Sequence, residues 1–224
     1  MVRMQRKALV IKTVGLAVAL LCLTSCALHG PPNIQPQQPD SVSLDPQNWY
    51  IYYSGGLPPH PSPDASAAWS LDFPSFQDGG HVNYVETPFR ASTNVLHNVH
   101  ISFVVQSDAP KYHVMDETDK PPATVHVFFE QQNDNLVEPN GRWWADPSKY
   151  NLGSDDNDEI TMTIPLTPAS WTNVYSKSDS KSFYESLQNV GWIGVTFGGQ
   201  DFWGHGVALT GGTSKFVLKN MYVD

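Results

Sequence analysis

The chain has 224 residues, 40% of them hydrophobic and 16% charged, with 22 acidic against 13 basic side chains and a formal charge of −9. That length holds one domain with a sizeable core, and the acidic balance argues against a nucleic-acid partner, because such a surface repels a phosphate backbone. Cys22 and Cys26 are its only cysteines, so everything beyond residue 26 lacks a disulfide, a thiol nucleophile and a zinc thiolate.

The N-terminus opens with Arg3, Arg6 and Lys7, followed by the apolar run "ALVIKTVGLAVALLCL" and then "LTSC". A basic start, a short apolar stretch and small residues before a cysteine describe a secretory signal, and the run is short for a spanning helix. "LTSC" resembles the lipobox of bacterial lipoproteins. The resemblance implies a signal peptide over residues 1–25 and a lipid on Cys26. The protein would then be anchored to a membrane of the cell envelope. Ala27 in place of Asp implies, by the sorting habit of enteric bacteria, the outer membrane. The alternative is an ordinary signal peptide. Four of the 13 basic residues and none of the acids lie in this segment, so the remainder holds 9 against 22, a formal −13. Residues 26–47, with five prolines and little periodicity, read as a tether, and 48–224 as the folded domain.

Within the domain, period-two alternation dominates. Strands are expected at 49–53, 68–73 and 81–86. "VHISFVVQ" places Ile101, Phe103 and Val105 on one face. "ATVHVFFEQ" sets Val125, Val127 and Phe129 against His126, Phe128 and Glu130. Asn140-Gly141, between "NLVE" and "RWWA", signals a hairpin. "DEITMTIPL" aligns Ile160, Met162, Ile164 and Leu166. One helix stands out in "SDSKSFYESLQNVG", with Ser178, Asp179 or Ser180 as cap and Phe183 and Leu187 on one face. Strands at 190–197 and 203–209 follow. The closing "KFVLKNMYV" alternates Val217, Met221 and Val223 against Phe216, Leu218 and Tyr222. Eight or more strands with one short helix predict an all-β fold, a jelly-roll β-sandwich of two antiparallel sheets.

"IGVTFGGQDFWGHGVALTGG", Ile193 to Gly212, is the densest glycine segment. It lacks the lysine and helix of a phosphate loop and the third glycine of a dinucleotide motif. A hairpin fits better: Ile193, Val195 and Phe197 oppose Trp192, Gly194 and Thr196, Gly198-Gly199 supplies positive φ for a turn or bulge, "WGHGVAL" returns, and Gly211-Gly212 turns again into the last strand. Gly194, Gly204 and Gly206 leave a shallow place for a ligand or for a neighbouring ring such as Trp192.

From "WTNV" through "NVGWIGVTFGG" to "FVLKNMYVD", the chain resembles the second half of a jelly-roll carbohydrate-binding module of the galactose-binding-like type; "WSLDFPS", "HVNYV" and "HISFVV" are compatible with its first half. The resemblance implies glycan binding without catalysis. Such modules often carry a structural calcium ion between the first and last strands; Asp224 has the position of a ligand, but no partner residue matches, so the resemblance assigns no calcium site here.

"NGRWWADPSKY" is the sugar-site candidate, because sugars lie on aromatic rings and need planar polar partners. Trp143 and Trp144 point to opposite faces, so one is core and the other exposed, with Arg142 on the face of Trp144. Trp203 follows a turn and stands at the rim. "SDDNDE", 154–159, and "DETD", 116–119, read as solvated turns rather than calcium loops. His97 and His100, three apart on a strand, do not converge on a metal. A glycosidase needs two facing carboxyls, and Glu86 with Glu130 is the one pair worth testing. No G-x-S-x-G is present. The rival functions are therefore a protein-docking envelope lipoprotein and a small glycan hydrolase.

Overall fold

A computed structural model describes residues 42–91, 96–115, 122–134, 141–175, 178–199 and 205–224. Cys26, the signal, most of the tether, the "NLVE" and "DETD" stretches, Asn140, Trp203 and Gly204 lie outside the described residues. The strands in chain order are β1 (Tyr50–Tyr52), β2 (Ser62–Pro63), β3 (Trp69–Asp72), β4 (Tyr84–Pro88), β5 (Asn98–Ser107), β6 (Lys111–Val114), β7 (Thr124–Gln131), β8 (Arg142–Asn151), β9 (Glu159–Pro165) and β10 (Trp171–Asn173). The helix α1 (Ser180–Gln188) precedes β11 (Val190–Gly198), β12 (Val207–Thr210) and β13 (Ser214–Val223).

These strands form two large antiparallel sheets. One has the order β1-β4-β11-β7-β8-β10 and the other β2-β3-β13-β5-β9, while β12 and β6 pair by themselves. The alternation explains why the sheets meet. Val127, Phe129, Ile193, Val195 and Phe197 of the first sheet share one apolar cluster with Ile101, Phe103, Phe216 and Leu218 of the second. Rings cross the gap, with Phe197 and Phe216 centred 5.3 Å apart and Phe103 and Tyr150 5.5 Å apart. The architecture is all-β, with one short helix, and is consistent with a β-sandwich. Helix α1 starts where Asp179 accepts from the Ser182 amide at 2.8 Å, and Phe183 seals the core beside Phe129, Trp143 and Trp171.

Four local expectations are corrected. The folded part begins before residue 48: Val42 is buried in the core, and the Trp49 indole N–H donates to the Ser43 carbonyl at 2.6 Å. The glycine segment is not one hairpin: the Gly206 amide donates to the Phe197 carbonyl at 3.1 Å, but β12 beyond it pairs with β6 and bridges Val82. Among its described residues, positive φ falls at Gly206 and, as expected for the turn into the last strand, at Gly211 and Gly212, but not at Gly198-Gly199. Finally, β13 carries a bulge between Leu218 and Asn220, which puts Met221 on the core face with Phe216 and Leu218.

Candidate functional site

The outer face of the six-stranded sheet is not the polar surface that an exposed sheet face would present. Its registers give continuous rows of side chains. One row runs Tyr50, Glu86, Gly194, Phe128, Trp144, Thr172 across all six strands. The row beside it holds Trp192, Glu130 and Arg142, and the row on the other side Tyr52, Tyr84, Thr196 and His126. Tyr52, Tyr84, Phe128 and Trp144 pack there as a second apolar cluster, with Tyr50, Tyr53 and Val174 against it. Strands β7 and β11 are therefore buried on both faces.

Two acids sit within this aromatic layer. Glu86 is 3% exposed and Glu130 1%. They lie diagonally across β11, and the position between them on Glu86's row is Gly194. A Cβ at 194 would collide with the Val85 carbonyl oxygen and lie 2.7 Å from Glu86 Cα. The missing side chain lets the backbones of β4 and β11 approach closely there. Asp134, just past β7, accepts from Arg142 Nε at 3.0 Å, and the same nitrogen stands 3.9 Å from Glu130 Oε2. The Arg142 guanidinium lies 5.9 Å from the centre of the Trp144 ring.

Burial governs the protonation of this group. It pushes the Glu86 carboxyl up to about 8, opposed by Arg142 and reinforced by Asp134. Glu130 is raised well above the ordinary carboxylate range by burial, then by the charges of Glu86 and Asp134. Tyr52 and Tyr84 are also raised by burial. For Arg142 burial works against the charge, but Asp134 and Tyr84 outweigh it and the guanidinium holds its proton more firmly. Near neutral pH at least one proton is thus held between the two glutamates.

Among the described residues, four buried polar atoms of this group have no hydrogen-bond partner: Glu130 Oε2, Asp134 Oδ1, Tyr52 OH and Trp144 Nε1. Buried polar atoms are nearly always satisfied by protein groups or ordered water, so these four mark a place where water or a ligand would complete the bonding. Tyr53, at its edge, adopts φ 48°, a left-handed conformation that bulky side chains avoid.

The expected sugar-site residues divide accordingly. Trp143 and Trp144 do lie on opposite faces, but neither ring is exposed: Trp143 belongs to the inter-sheet core, and Trp144 is covered by the tyrosine layer. Arg142 shares Trp144's face, as expected. Tyr52 and Asp134 were missed, because nothing in their local pattern places them beside Glu130; that follows from strand order. The acidic turn has a structural role: Asp156 accepts from the Tyr112 and Tyr150 hydroxyls and the Gly153 amide, each at 2.9–3.0 Å. His100 pairs with Asp224 at 3.0 Å and stacks on Tyr222. Among the described residues no three His, Cys, Asp or Glu side chains are grouped to hold a metal. No protein-family model matches the chain, and no curated protein matches it.

Proposed function

We propose that this is an envelope lipoprotein, lipidated on Cys26, whose jelly-roll domain binds a carbohydrate without catalysis at the outer face of the six-stranded sheet. Strand order supports the jelly roll. The chain passes between β3-β13-β5-β9 and β4-β11-β7-β8 in the sequence of two interlocked Greek keys. The unpartnered polar atoms carry the ligand reading. Trp144 Nε1 offers a donor, Glu130 Oε2 and Asp134 Oδ1 offer acceptors, and the half-buried rings of Tyr50 and Tyr53, packed against the buried layer, supply faces at its edge. A sugar needs that combination of apolar faces and fixed polar partners.

A glycan array probed with the chain from Ala27 onward tests it, followed by Trp144→Phe. That variant keeps a ring and loses the indole N–H. The expected result is a bound glycan whose affinity falls about tenfold in the variant, in line with one hydrogen bond. A chain that binds no glycan on the array would end the reading.

The glutamate pair favours one second reading, glycan hydrolysis, since two carboxyls with raised proton affinity are the equipment of that chemistry. Release of reducing ends by the chain, lost in Glu130→Gln, would establish it.

A further inference from the structure

Where β3 ends and β13 begins, a groove of about 220 Å³ lies between segment 72–77 and the turn that joins β12 to β13. Three backbone bonds fix its frame. Phe73 N–H donates to the Ser214 carbonyl, Leu209 N–H to the Pro74 carbonyl and Phe76 N–H to the Leu209 carbonyl, each at 2.8–2.9 Å. The Phe76 ring stacks on His113 of β6 with centres 4.7 Å apart, which pins this segment further. On the other wall the Thr213 amide donates to the Asp108 carboxylate. Gly211 and Gly212 adopt φ of 67° and 70°, and a Cβ on Gly212 would strike that carboxylate, so the turn closes only with glycine. The walls are therefore set before any ligand arrives.

The lining has a definite chemistry. Phe73 and Leu209, otherwise buried, give it an apolar part. Around them stand the hydroxyls of Ser75, Thr210 and Thr213 and the amide of Gln77, side chains that make no hydrogen bond to any described residue. Each of these groups both donates and accepts, which matches a ligand whose own groups do both, as hydroxyls do. Among the described residues the lining holds one charged side chain, Asp72, and Lys215 stands 3.5 Å from it. An anion would meet Asp72 and, behind the turn, Asp108; a metal ion would find a single carboxylate. The volume is below the roughly 300–1,000 Å³ of sites for larger ligands.

We propose that this groove is a second carbohydrate site and takes one neutral pyranose unit. The C–H face of the sugar lies on Phe73 and Leu209, and its hydroxyls meet Ser75, Gln77, Thr210 and Thr213. None of the lining residues belongs to the six-stranded sheet, so the site goes beyond the reading above and stands on its own residues.

The test is nitrogen-15 chemical-shift mapping of the chain from Ala27 with the methyl β-glycosides of glucose, galactose and N-acetylglucosamine, each raised to about 50 mM, beside glycerol and methyl β-glucuronide. The expected result is that at least one neutral glycoside moves the Gly211, Gly212 and Thr213 amide signals to saturation with a Kd of about 1 mM, at least about tenfold tighter than glycerol or the glucuronide. Thr210→Val and Gln77→Leu each remove one polar partner and should weaken binding about fivefold, while Trp144→Phe leaves it unchanged. Should either groove variant fail to fold, nuclear Overhauser contacts between sugar C–H protons and the Leu209 methyls of the unaltered chain decide the question by their presence or absence. Shifts confined to the six-stranded sheet, such as the Trp144 indole, would overturn the groove and leave the carbohydrate reading standing. No shift anywhere would overturn the groove, and together with an empty glycan array would remove both. An equal response to glycerol or to the glucuronide would overturn the neutral pyranose, and binding unchanged in folded Thr210→Val and Gln77→Leu would overturn the site.

Discussion

Gly194 is the residue on which the outer face turns. Any side chain there would strike the Val85 carbonyl and the Glu86 backbone, which sit in a paired strand that has no freedom to retreat. Gly194→Ala is expected to destabilise the domain by about 3 kcal/mol, read as a lower urea midpoint. Glu86 makes a second prediction at this scale. In the unfolded chain its proton leaves near the ordinary value of 4.5, whereas the folded chain keeps it to about 8, so over that window stability falls as pH rises. His126 acts oppositely, because burial takes it from 6.5 down to about 4 and stability rises with pH between those values. Above pH 6.5 only the acid contribution is left. Urea midpoints should therefore fall from pH 6.5 to 8 in the natural chain, and fall less in Glu86→Gln. A midpoint that holds or climbs over that interval would mean the carboxyl is already ionised in the fold.

At the scale of elements, the acidic turn between β8 and β9 works as a latch. Asp156 ties Tyr112, next to β12, and Tyr150, at the end of β8, to the same turn. Asp156→Ala should cost about 2–4 kcal/mol, and adding calcium or a chelator should leave the melting temperature of the natural chain unchanged, since that carboxylate's oxygens are already engaged. The first folded segment offers a further test. A chain starting at residue 48 loses buried Val42 and the Ser43 acceptor of Trp49, and should be about 3 kcal/mol less stable than one starting at residue 41. Much of this level was legible in the sequence. The alternation of Val125, Val127 and Phe129, and of Ile193, Val195 and Phe197, names the core faces of β7 and β11 correctly, because a strand's period is local information. The cap was legible only as one of Ser178, Asp179 and Ser180, and the fold selects Asp179. Alternation failed in β13, where one extra residue changes its phase, and a bulge leaves no mark in a run of mixed residues. It also could not show that the opposite faces of β7 and β11 are buried. What covers them is the tyrosine layer, and β1 is brought beside β4 by long-range pairing. The site was half visible: Glu86 and Glu130 stand out as acids among strands, but their meeting across Gly194 depends on β11 lying between β4 and β7.

For the whole molecule, the division of labour follows from which sheet holds the buried charge. The five-stranded sheet keeps ordinary polar side chains outward, such as Thr161 and Thr163 on β9. The six-stranded sheet carries a second layer of rings and acids. If Cys26 bears lipid, the natural chain should enter the detergent phase on Triton X-114 partition and Cys26→Ser should remain aqueous. Equal partition of the two would leave the envelope reading without its anchor. The bulge in β13 has a consequence for how this chain tolerates change in length. Lys219 is the residue skipped by the pairing: Leu218 faces Phe103 and Asn220 faces the next residue, Ser102. Removing Lys219 alone would leave each downstream partnership intact and turn the strand into a regular ribbon. Removing Val217 instead would drive Leu218 outward and a lysine into the interior. The C-terminal strand thus has one position where a missing codon is nearly silent, beside neighbours where the same loss is ruinous.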